Sequence, residues 1–305
     1  MQIIKSIFIF FKDLTKFKKN IRYKNSESSY QIMRFLYRIS DGLLLHIISK
    51  YFNNNTRPPS SLKRSFIKNQ NLDKSEVNLL HNEIINMRLS NNTVKDEKLK
   101  INDKMQINFN YYKNKNLMRL DINREDLFKN KIICEYALKE TWINTLKEIL
   151  GCKPQLLGID SWITLSPPNT FDDYDDAGKI VSSQMWHRDC DNLRDLKVMT
   201  YLTDVMNDNE GPFEIIEDTH KFNFFNPFAY VMGSGLRIKN NYVIKNFKNK
   251  IKSFFGYAGS SFIVDTRAIH RGKTINQQNF YRLIIQLYYS NSAFGKNKDN
   301  PKLNK

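Results

Sequence analysis

Apolar residues recur at helical spacing along the first half of the chain. Within residues 1–56 they follow steps of three and four, the period of one face of an α-helix, at Ile32, Phe35, Leu36, Ile39, Leu43 and Ile47. Residues 53–61 form a predicted loop, because polar residues surround two prolines there. Helical spacing returns at 74–90, where Asp73 or Ser75 can cap the first turn. The pattern predicts a mostly helical region with loops over residues 1–120, including loop and short strands at 91–116.

A further helical pattern covers residues 123–150 and ends at Gly151, the residue type expected after a helix C-terminus. After Pro154 the chain changes to short β-branched and aromatic runs separated by turn signals. The runs are LLGIDSWITL (156–165), KVMTYLTDV (197–205), FEII (213–216), SFFGYA (253–258), SFIVDT (261–266) and YRLIIQLYYS (281–290). Short strands at this spacing predict a β-sandwich or barrel. We therefore expect a mainly β domain over 121–292, led by a helix, and a polar tail at 293–305.

Composition and charge exclude some classes of function. Apolar residues make up 41% of the 305, and 15 Tyr and 21 Phe stand against 8 Pro and 11 Gly, which argues against global disorder. The net charge is +17, but the lysines are spread along the chain instead of forming one basic stripe. Heavy use of Lys, Asn and Ile is typical of an AT-rich genome. We therefore predict no specific nucleic-acid partner.

The cysteines and the N-terminal segment bear on the compartment. Cys134, Cys152 and Cys190 form no CxxC pair, which argues against a zinc knuckle or disulfide framework and predicts a reducing, cytoplasmic location. The apolar segment at residues 3–11 is too short to span a bilayer, which needs about 20 apolar residues. Its basic residues follow the apolar run, opposite to a signal peptide. An amphipathic helix is the simpler interpretation, and a weak membrane contact through residues 1–24 is the alternative.

The segment 185–189, MWHRD, carries the main chemical signal. In an extended strand, residues two apart point to the same side, so His187 and Asp189 can both face one metal ion. His270, 83 residues later, can supply a second imidazole. Two histidines and one carboxylate with open coordination positions form the site favoured by non-haem Fe(II) oxygenases. A His-x-Asp pair alone is weak evidence, because it arises often by chance.

Arg282 strengthens this interpretation. It lies 12 residues after His270, inside the apolar run 281–290. A buried guanidinium without an anionic partner costs several kcal/mol, on the order of 3–5. A dicarboxylate co-substrate would provide that partner through a bidentate contact. A salt bridge to a protein carboxylate, or a position on a solvated face, are the alternatives for this arginine.

Four segments together resemble the phytanoyl-CoA dioxygenase family over about residues 145–290. They are QMWHRDCD (184–191), KVMTYLTDV (197–205), DNEGPF (208–213) and VDTRAIHRG (264–272), with Arg282 following. The resemblance implies a double-stranded β-helix, or jelly-roll core, flanked by helices. It implies Fe(II) held by His187, Asp189 and His270, and 2-oxoglutarate that chelates the iron and is held at its far carboxylate by Arg282. It also implies a contact between Thr200 and the co-substrate.

One segment departs from the family pattern. After DNEGPF the family usually has a Pro-Gly-Ser-His turn, whereas this chain has Glu217, Asp218, Thr219 and His220. The change puts the geometry of this loop in doubt, not the metal site. His220 is a competing third ligand, but no arginine follows it at the right distance, which favours His270.

The resemblance implies an oxidoreductase that uses Fe(II), 2-oxoglutarate and dioxygen to oxidise a C–H bond of a small organic substrate. Asp189 stands where halogenating relatives have Gly or Ala, which favours hydroxylation. The basic loops suggest an anionic substrate such as a CoA thioester or a phosphorylated sugar, and the acidic run 171–176 is a lid or a solvated loop. Two alternatives stay open: a non-catalytic basic jelly-roll binding protein, and a cupin-like metalloenzyme that does not use 2-oxoglutarate.

Overall fold

The computed structural model describes residues 65–68, 71–101, 107–115, 117–151, 153–166, 182–189, 195–220 and 237–291. Several predictions lie outside these residues: the helix and membrane contact within 1–56, the loop 53–61, the acidic run 171–176, the tail 293–305, Cys152 and Cys190. Among the helices of the described ranges, none is both long and apolar enough to cross a membrane.

The described helices flank the sheets. They are α1 (Lys74–Ile85), α2 (Phe109–Asn114), α3 (Arg124–Lys129), α4 (Lys131–Ala137), α5 (Glu140–Leu150) and α6 (Asn240–Phe247). The predicted start of α1 is confirmed, because the Asp73 carboxylate accepts a hydrogen bond from the Glu76 amide at 2.9 Å. The helix ends at Ile85, earlier than the pattern suggested. Helix α2 lies where loop and short strands were expected.

The prediction of one helix over 123–150 is wrong, because the segment forms three helices. Asn130 adopts an extended conformation (φ −79°, ψ 120°) that ends α3, and its side chain accepts from the Ile133 amide to begin α4. Lys139 (φ −55°, ψ 131°) likewise departs from the helical conformation before α5. Gly151 ends α5 in the left-handed region at φ 71°, as predicted. The apolar spacing continues across the two breaks because all three short helices bury their apolar residues in the same core.

Two antiparallel sheets form the body of the protein. The strands are β1 (Phe66–Lys68), β2 (Arg119–Asp121), β3 (Pro154–Leu165), β4 (Asp195–Tyr201), β5 (Phe213–Ile216), β6 (Ile251–Phe254), β7 (Ser261–Asp265), β8 (His270–Gly272) and β9 (Tyr281–Asn291). The large sheet has the order β1-β7-β4-β9-β3-β2, and the small sheet the order β6-β5-β8. All their pairings are antiparallel. The chain passes back and forth between the sheets, as in a double-stranded β-helix.

The two sheets pack face to face across a shared apolar core. Both sheets contribute, with Met199, Tyr201, Phe262, Val264 and Ile284 from the large sheet and Phe213, Ile215 and Phe254 from the small one. A second, larger core lies on the other face of the large sheet, beneath α1 to α5. The predicted fold class, mainly β with flanking helices and a jelly-roll core, is therefore confirmed. We call the side of the large sheet that faces the small sheet the inner face.

The region before residue 122 also completes the large sheet. Strand β1 pairs with β7, and β2 pairs with β3. Neither strand was predicted, and β8 was also missed. Three-residue strands offer too few positions for an alternation of apolar and polar side chains to be detected.

Candidate metal centre

His187, Asp189 and His270 meet at one end of the core between the sheets. His187 and His270 form an antiparallel bridge, with amide-to-carbonyl distances of 3.0 and 2.9 Å. The Asp189 amide donates to the Thr266 carbonyl at 3.0 Å. These backbone bonds place the 187–189 segment beside β8. One potential ligand atom of each of the three residues lies within 4.8 Å of the other two.

Both imidazoles present the same nitrogen to the centre. His187 Nδ1 lies 2.7 Å from the Met185 carbonyl oxygen, and His270 Nδ1 lies 2.9 Å from the Ala268 carbonyl oxygen. A carbonyl can only accept, so each Nδ1 carries the proton and each Nε2 keeps its lone pair. The two Nε2 atoms lie 3.6 and 3.5 Å from the Asp189 carboxylate oxygens. Two imidazole lone pairs and a carboxylate therefore converge.

Burial and neighbouring charges fix the protonation of these groups. Burial lowers the pKa of His187 to about 3, and His270 adds to the decrease. Burial alone would raise the pKa of Asp189, but the positive charge of Lys197 and the contact with His270 outweigh it and hold that pKa well below its usual range. At neutral pH His187 is therefore neutral and Asp189 ionised, the states that bind a metal ion.

Lys197 also belongs to this cluster, although the sequence analysis did not single it out. Its Nζ lies 2.5 Å from Asp189 Oδ2, and its side chain is 11% exposed. The alternation of inward and outward side chains along strand β4 could have identified it. Lys197 shares a face with Met199 and Tyr201, which pack between the sheets, so a lysine there points inward.

Arg282 lies on the inner face of β9, two residues before Ile284. It is 4% exposed, and its Nε and Nη1 have no hydrogen-bond partner among the described residues. Nη2 makes a long contact of 3.4 Å with Thr164 Oγ1. Burial lowers the pKa of Arg282, yet a guanidinium keeps its charge at any pH of interest. The described structure thus contains a buried cation with two donors unused.

Gly272 lets the Arg282 guanidinium lie against strand β8. A Cβ built at Gly272 would lie 2.9 Å from Arg282 Nη2, closer than side chains tolerate. His270 and Gly272 are two residues apart in β8, so the missing side chain would point to the same side as the His270 ring. The glycine therefore allows the guanidinium to lie on the same side of β8 as the His270 ring, two strand positions away.

The structure does not bring Thr200 to this site, so the expected contact with a co-substrate is contradicted. Thr200 points to the opposite face of β4 from Lys197, and its Oγ1 lies 2.5 Å from the Tyr136 hydroxyl of α4. Its neighbours Val198 and Leu202 belong to the core beneath the helices. Thr200 therefore helps to attach α4 to the large sheet.

The segment that departs from the family pattern still forms a turn. Asp218 adopts φ 62°, the left-handed conformation that a glycine would adopt without strain. His220 Nδ1 lies 2.8 Å from Ser65 Oγ, and this histidine is not part of the cluster of potential ligands. Arg188 lies between His187 and Asp189 in sequence and is buried. It donates to the Thr219 and Arg267 carbonyls, and it thereby connects the turn at 217–220 to the segment before His270.

No family model and no curated protein sequence matches this chain, so its resemblance to the phytanoyl-CoA dioxygenases stands on the motif residues. Among solved structures, it is similar to HygX from Streptomyces hygroscopicus with nickel and 2-oxoglutarate bound (13% identity, 80% of this chain and 86% of that chain, TM-score 0.47). It is similar to the non-haem α-ketoglutarate-dependent epimerase SnoN from nogalamycin biosynthesis (12% identity, 88% of this chain and 85% of that chain, TM-score 0.49). It is also similar to EctD from S. alaskensis with 2-oxoglutarate and 5-hydroxyectoine (14% identity, 79% of this chain and 79% of that chain, TM-score 0.45). At these identities, the ligands of those proteins do not transfer to this chain.

Proposed function

We propose that this chain is an Fe(II)- and 2-oxoglutarate-dependent oxygenase that hydroxylates, or otherwise oxidises, a C–H bond of a small organic substrate. The observation that carries the proposal is Arg282, a buried guanidinium whose Nε and Nη1 have no hydrogen-bond partner among the described residues and which lies beside Gly272, two strand positions from His270. A buried charge without a partner is costly, so its presence here favours a bound anion.

The donor set fits divalent iron. Two neutral imidazoles and one carboxylate on one side of an ion leave the remaining coordination positions open. His187, Asp189 and His270 are the residues that would hold it. Their Nδ1 hydrogen bonds to main-chain carbonyls fix the ring orientation of both histidines, as is usual for metal-bound imidazoles.

The position and the unpartnered nitrogens of Arg282 among the described residues suit the far carboxylate of 2-oxoglutarate. Gly272 lies beside the guanidinium, two strand positions from His270, which corresponds to about 7 Å along β8. A dicarboxylate can therefore contact the metal position at one end and the guanidinium at the other. Arg282 would orient the co-substrate through charge-assisted hydrogen bonds.

When bound, iron and 2-oxoglutarate supply the oxidising chemistry by activating dioxygen. The protein holds and shields these groups. Phe213 stacks near the His270 ring, with centroids 5.5 Å apart, and the apolar core around it excludes water from this side of the site. Asp189 occupies the carboxylate position, which supports hydroxylation. The proposal includes a small and anionic substrate, in keeping with the net charge of +17.

Anaerobic titration of the purified metal-free protein with Fe(II) and 2-oxoglutarate tests this function. We expect a weak visible charge-transfer band only when both are present. His187→Ala should abolish the band, and Arg282→Met should weaken it by raising the 2-oxoglutarate concentration needed. Lys129→Met is the control for the loss of a positive charge, because the Lys129 side chain is 67% exposed on α3 and pairs with Glu125 of the same helix.

A folded, iron-loaded protein without the band would reject the proposal. In that case a cupin-like metalloenzyme that does not use 2-oxoglutarate would explain the metal ligands. Failure to load iron at all would favour a non-catalytic binding protein.

A further inference from the structure

A second cation, Lys197, lies on the opposite side of the metal ligands from Arg282. On β9, Arg282 and Tyr288 are six residues apart on the same face, and Lys197 of β4 pairs with Tyr288. Lys197 contacts Asp189, whereas Arg282 lies beside Gly272. The two cations therefore flank the three ligands. Arg282 has a role in the proposed function, and Lys197 has none.

We propose that Lys197, with the ring of Tyr288 beside it, binds a negatively charged group of the substrate, most simply a carboxylate. The inference rests on the proposed function, because it concerns the part of the site that 2-oxoglutarate would leave open.

A charge count over the ligands and the two cations supports this assignment. Lys197 and Arg282 each carry one positive charge, and Asp189 carries one negative charge. Divalent iron would add two positive charges, and 2-oxoglutarate would add two negative ones. Among these charges, one positive charge is left uncompensated, and both cations are largely buried. A buried excess of positive charge favours the binding of an anion.

Among the described residues, the neighbouring charged groups on the inner face do not remove this excess. Asp160 and Asp121 face the same way, but each is paired with an arginine, Arg124 and Arg119, at 2.5 and 2.7 Å. Arg237, which is exposed, lies close enough to His187 to add to the decrease in its pKa. These described neighbours therefore leave the excess of positive charge in place.

Asp189 is both the anionic partner of Lys197, through its Oδ2, and one of the three potential metal ligands. A metal ion would share that carboxylate, and the ammonium group would need additional negative charge. Lys197 has three donor hydrogens, of which Asp189 uses one, and its Nζ lies 5.4 Å from the centre of the Tyr288 ring. An aromatic wall beside a cation suits a carboxylate attached to an organic body.

Binding of matched small probes tests the inference. The protein is loaded anaerobically with Co(II) and 2-oxoglutarate, and benzoate or benzamide is titrated while the Co(II) absorption spectrum is recorded. We expect benzoate to bind about tenfold more tightly than its neutral isostere, the effect of one charge-assisted hydrogen bond. Benzylamine, which has the opposite charge, should bind more weakly than either.

Variants at position 197 then identify the residue. Lys197→Met should bring the benzoate-to-benzamide ratio close to one, whereas Lys197→Arg should keep the preference. Lys129→Met is the matched control, because Lys129 is 67% exposed on α3 and pairs with Glu125 of the same helix. This control should behave like the wild type.

The outcomes separate this inference from the proposed function. If the wild type fails to bind Co(II) and 2-oxoglutarate, the proposed function fails. If it binds both but does not prefer benzoate, or if Lys197→Met keeps the preference, the assignment of Lys197 is overturned. Loss of Co(II) binding in Lys197→Met would also overturn it, because Lys197 would then act by positioning Asp189.

Discussion

At the scale of single residues, the site depends as much on a missing side chain as on the groups that are present. A side chain at position 272 would overlap the Arg282 guanidinium, because a Cβ there would lie 2.9 Å from Nη2. Gly272 does not have a positive φ, so the backbone itself does not require glycine here. Its role is steric, and that role can be tested without touching any charged group.

Gly272→Ala should weaken 2-oxoglutarate binding by about tenfold or more, because a Cβ 2.9 Å from Arg282 Nη2 displaces the guanidinium or the carboxylate that it holds. Metal binding should be unchanged. Titration calorimetry of the Ni(II)-loaded protein with 2-oxoglutarate measures the effect. Gly158→Ala is the matched control, since a Cβ there meets only Tyr288, at an ordinary 3.7 Å. Equal 2-oxoglutarate affinity in the two variants would mean that the co-substrate does not use this space.

The buried state of His187 predicts how the metal-free protein responds to acid. Its pKa is about 3 in the folded protein, against about 6.5 in an unfolded chain. Between these values the unfolded chain binds one more proton, so the free energy of unfolding falls as the pH falls, by up to about 1.4 kcal/mol per pH unit. Asp189, whose pKa is also lowered, acts in the same direction but only below about pH 4.

Urea unfolding of the metal-free protein between about pH 4.5 and 6.5 measures this slope, because the window lies below the unfolded pKa of His187 and above the range in which Asp189 contributes. His187→Gln should lower the slope of the free energy of unfolding against pH by the amount that corresponds to about one bound proton. His81→Gln is the comparison, because burial also lowers the pKa of His81, but far from the ligands. An unchanged slope in His187→Gln would mean that its imidazole titrates normally in the folded protein.

Some site residues could be predicted from the sequence and others could not. His187, Asp189, His270 and Arg282 stand at spacings that single them out, and the structure brings the first three together with the arginine nearby. Lys197 and Gly272 were missed because a lysine in a strand and a glycine near a strand end are common, and only the facing sheet gives them a role. Thr200 was wrongly assigned to the site because its strand position was taken without deciding which face it occupies.

At the scale of elements, Asn130 shows how one polar residue divides a helical pattern. The apolar positions of 123–150 continue through it, because α3, α4 and α5 bury the same side of the chain against the large sheet. Spacing alone therefore could not reveal the break. The longer strands were predicted within a few residues of their bounds, since each buries enough alternating or continuous apolar positions to be recognised.

Asn130→Ala should destabilise the protein by about 1–2 kcal/mol, the usual cost of losing an N-cap. The side chain accepts from the Ile133 amide at 3.1 Å and donates to Glu83 of α1 at 2.6 Å, so its loss loosens both the start of α4 and its contact with α1. Chemical denaturation measures the change. Asn144→Ala, at an exposed position within α5, should stay within about 0.5 kcal/mol of the wild type. Similar values for the two variants would show that α4 does not depend on its cap.

At the scale of the whole molecule, the site joins the two sheets. His270 belongs to the small sheet, Arg282 and Lys197 belong to the large one, and the segment 187–189 is attached to β8 and to Thr266 after β7. Ligands that contact all of these groups bind the folded protein and not the unfolded chain. Their binding free energy therefore adds to the stability of the fold as a whole.

Ni(II) and 2-oxoglutarate should each raise the midpoint of thermal unfolding, and 2-oxoglutarate should do so only when Ni(II) is present. A ligand at one hundred times its Kd adds about 2.7 kcal/mol to the free energy of unfolding. Asp189→Asn should lose both increments, because the metal loses its only carboxylate among the three ligands. Arg282→Met should keep the increase in the unfolding midpoint that Ni(II) causes. It should lose most of the increase that 2-oxoglutarate causes, because the far carboxylate loses its partner. If 2-oxoglutarate stabilised the protein without metal, and Arg282→Met did not change that effect, the co-substrate would bind somewhere other than between the two sheets.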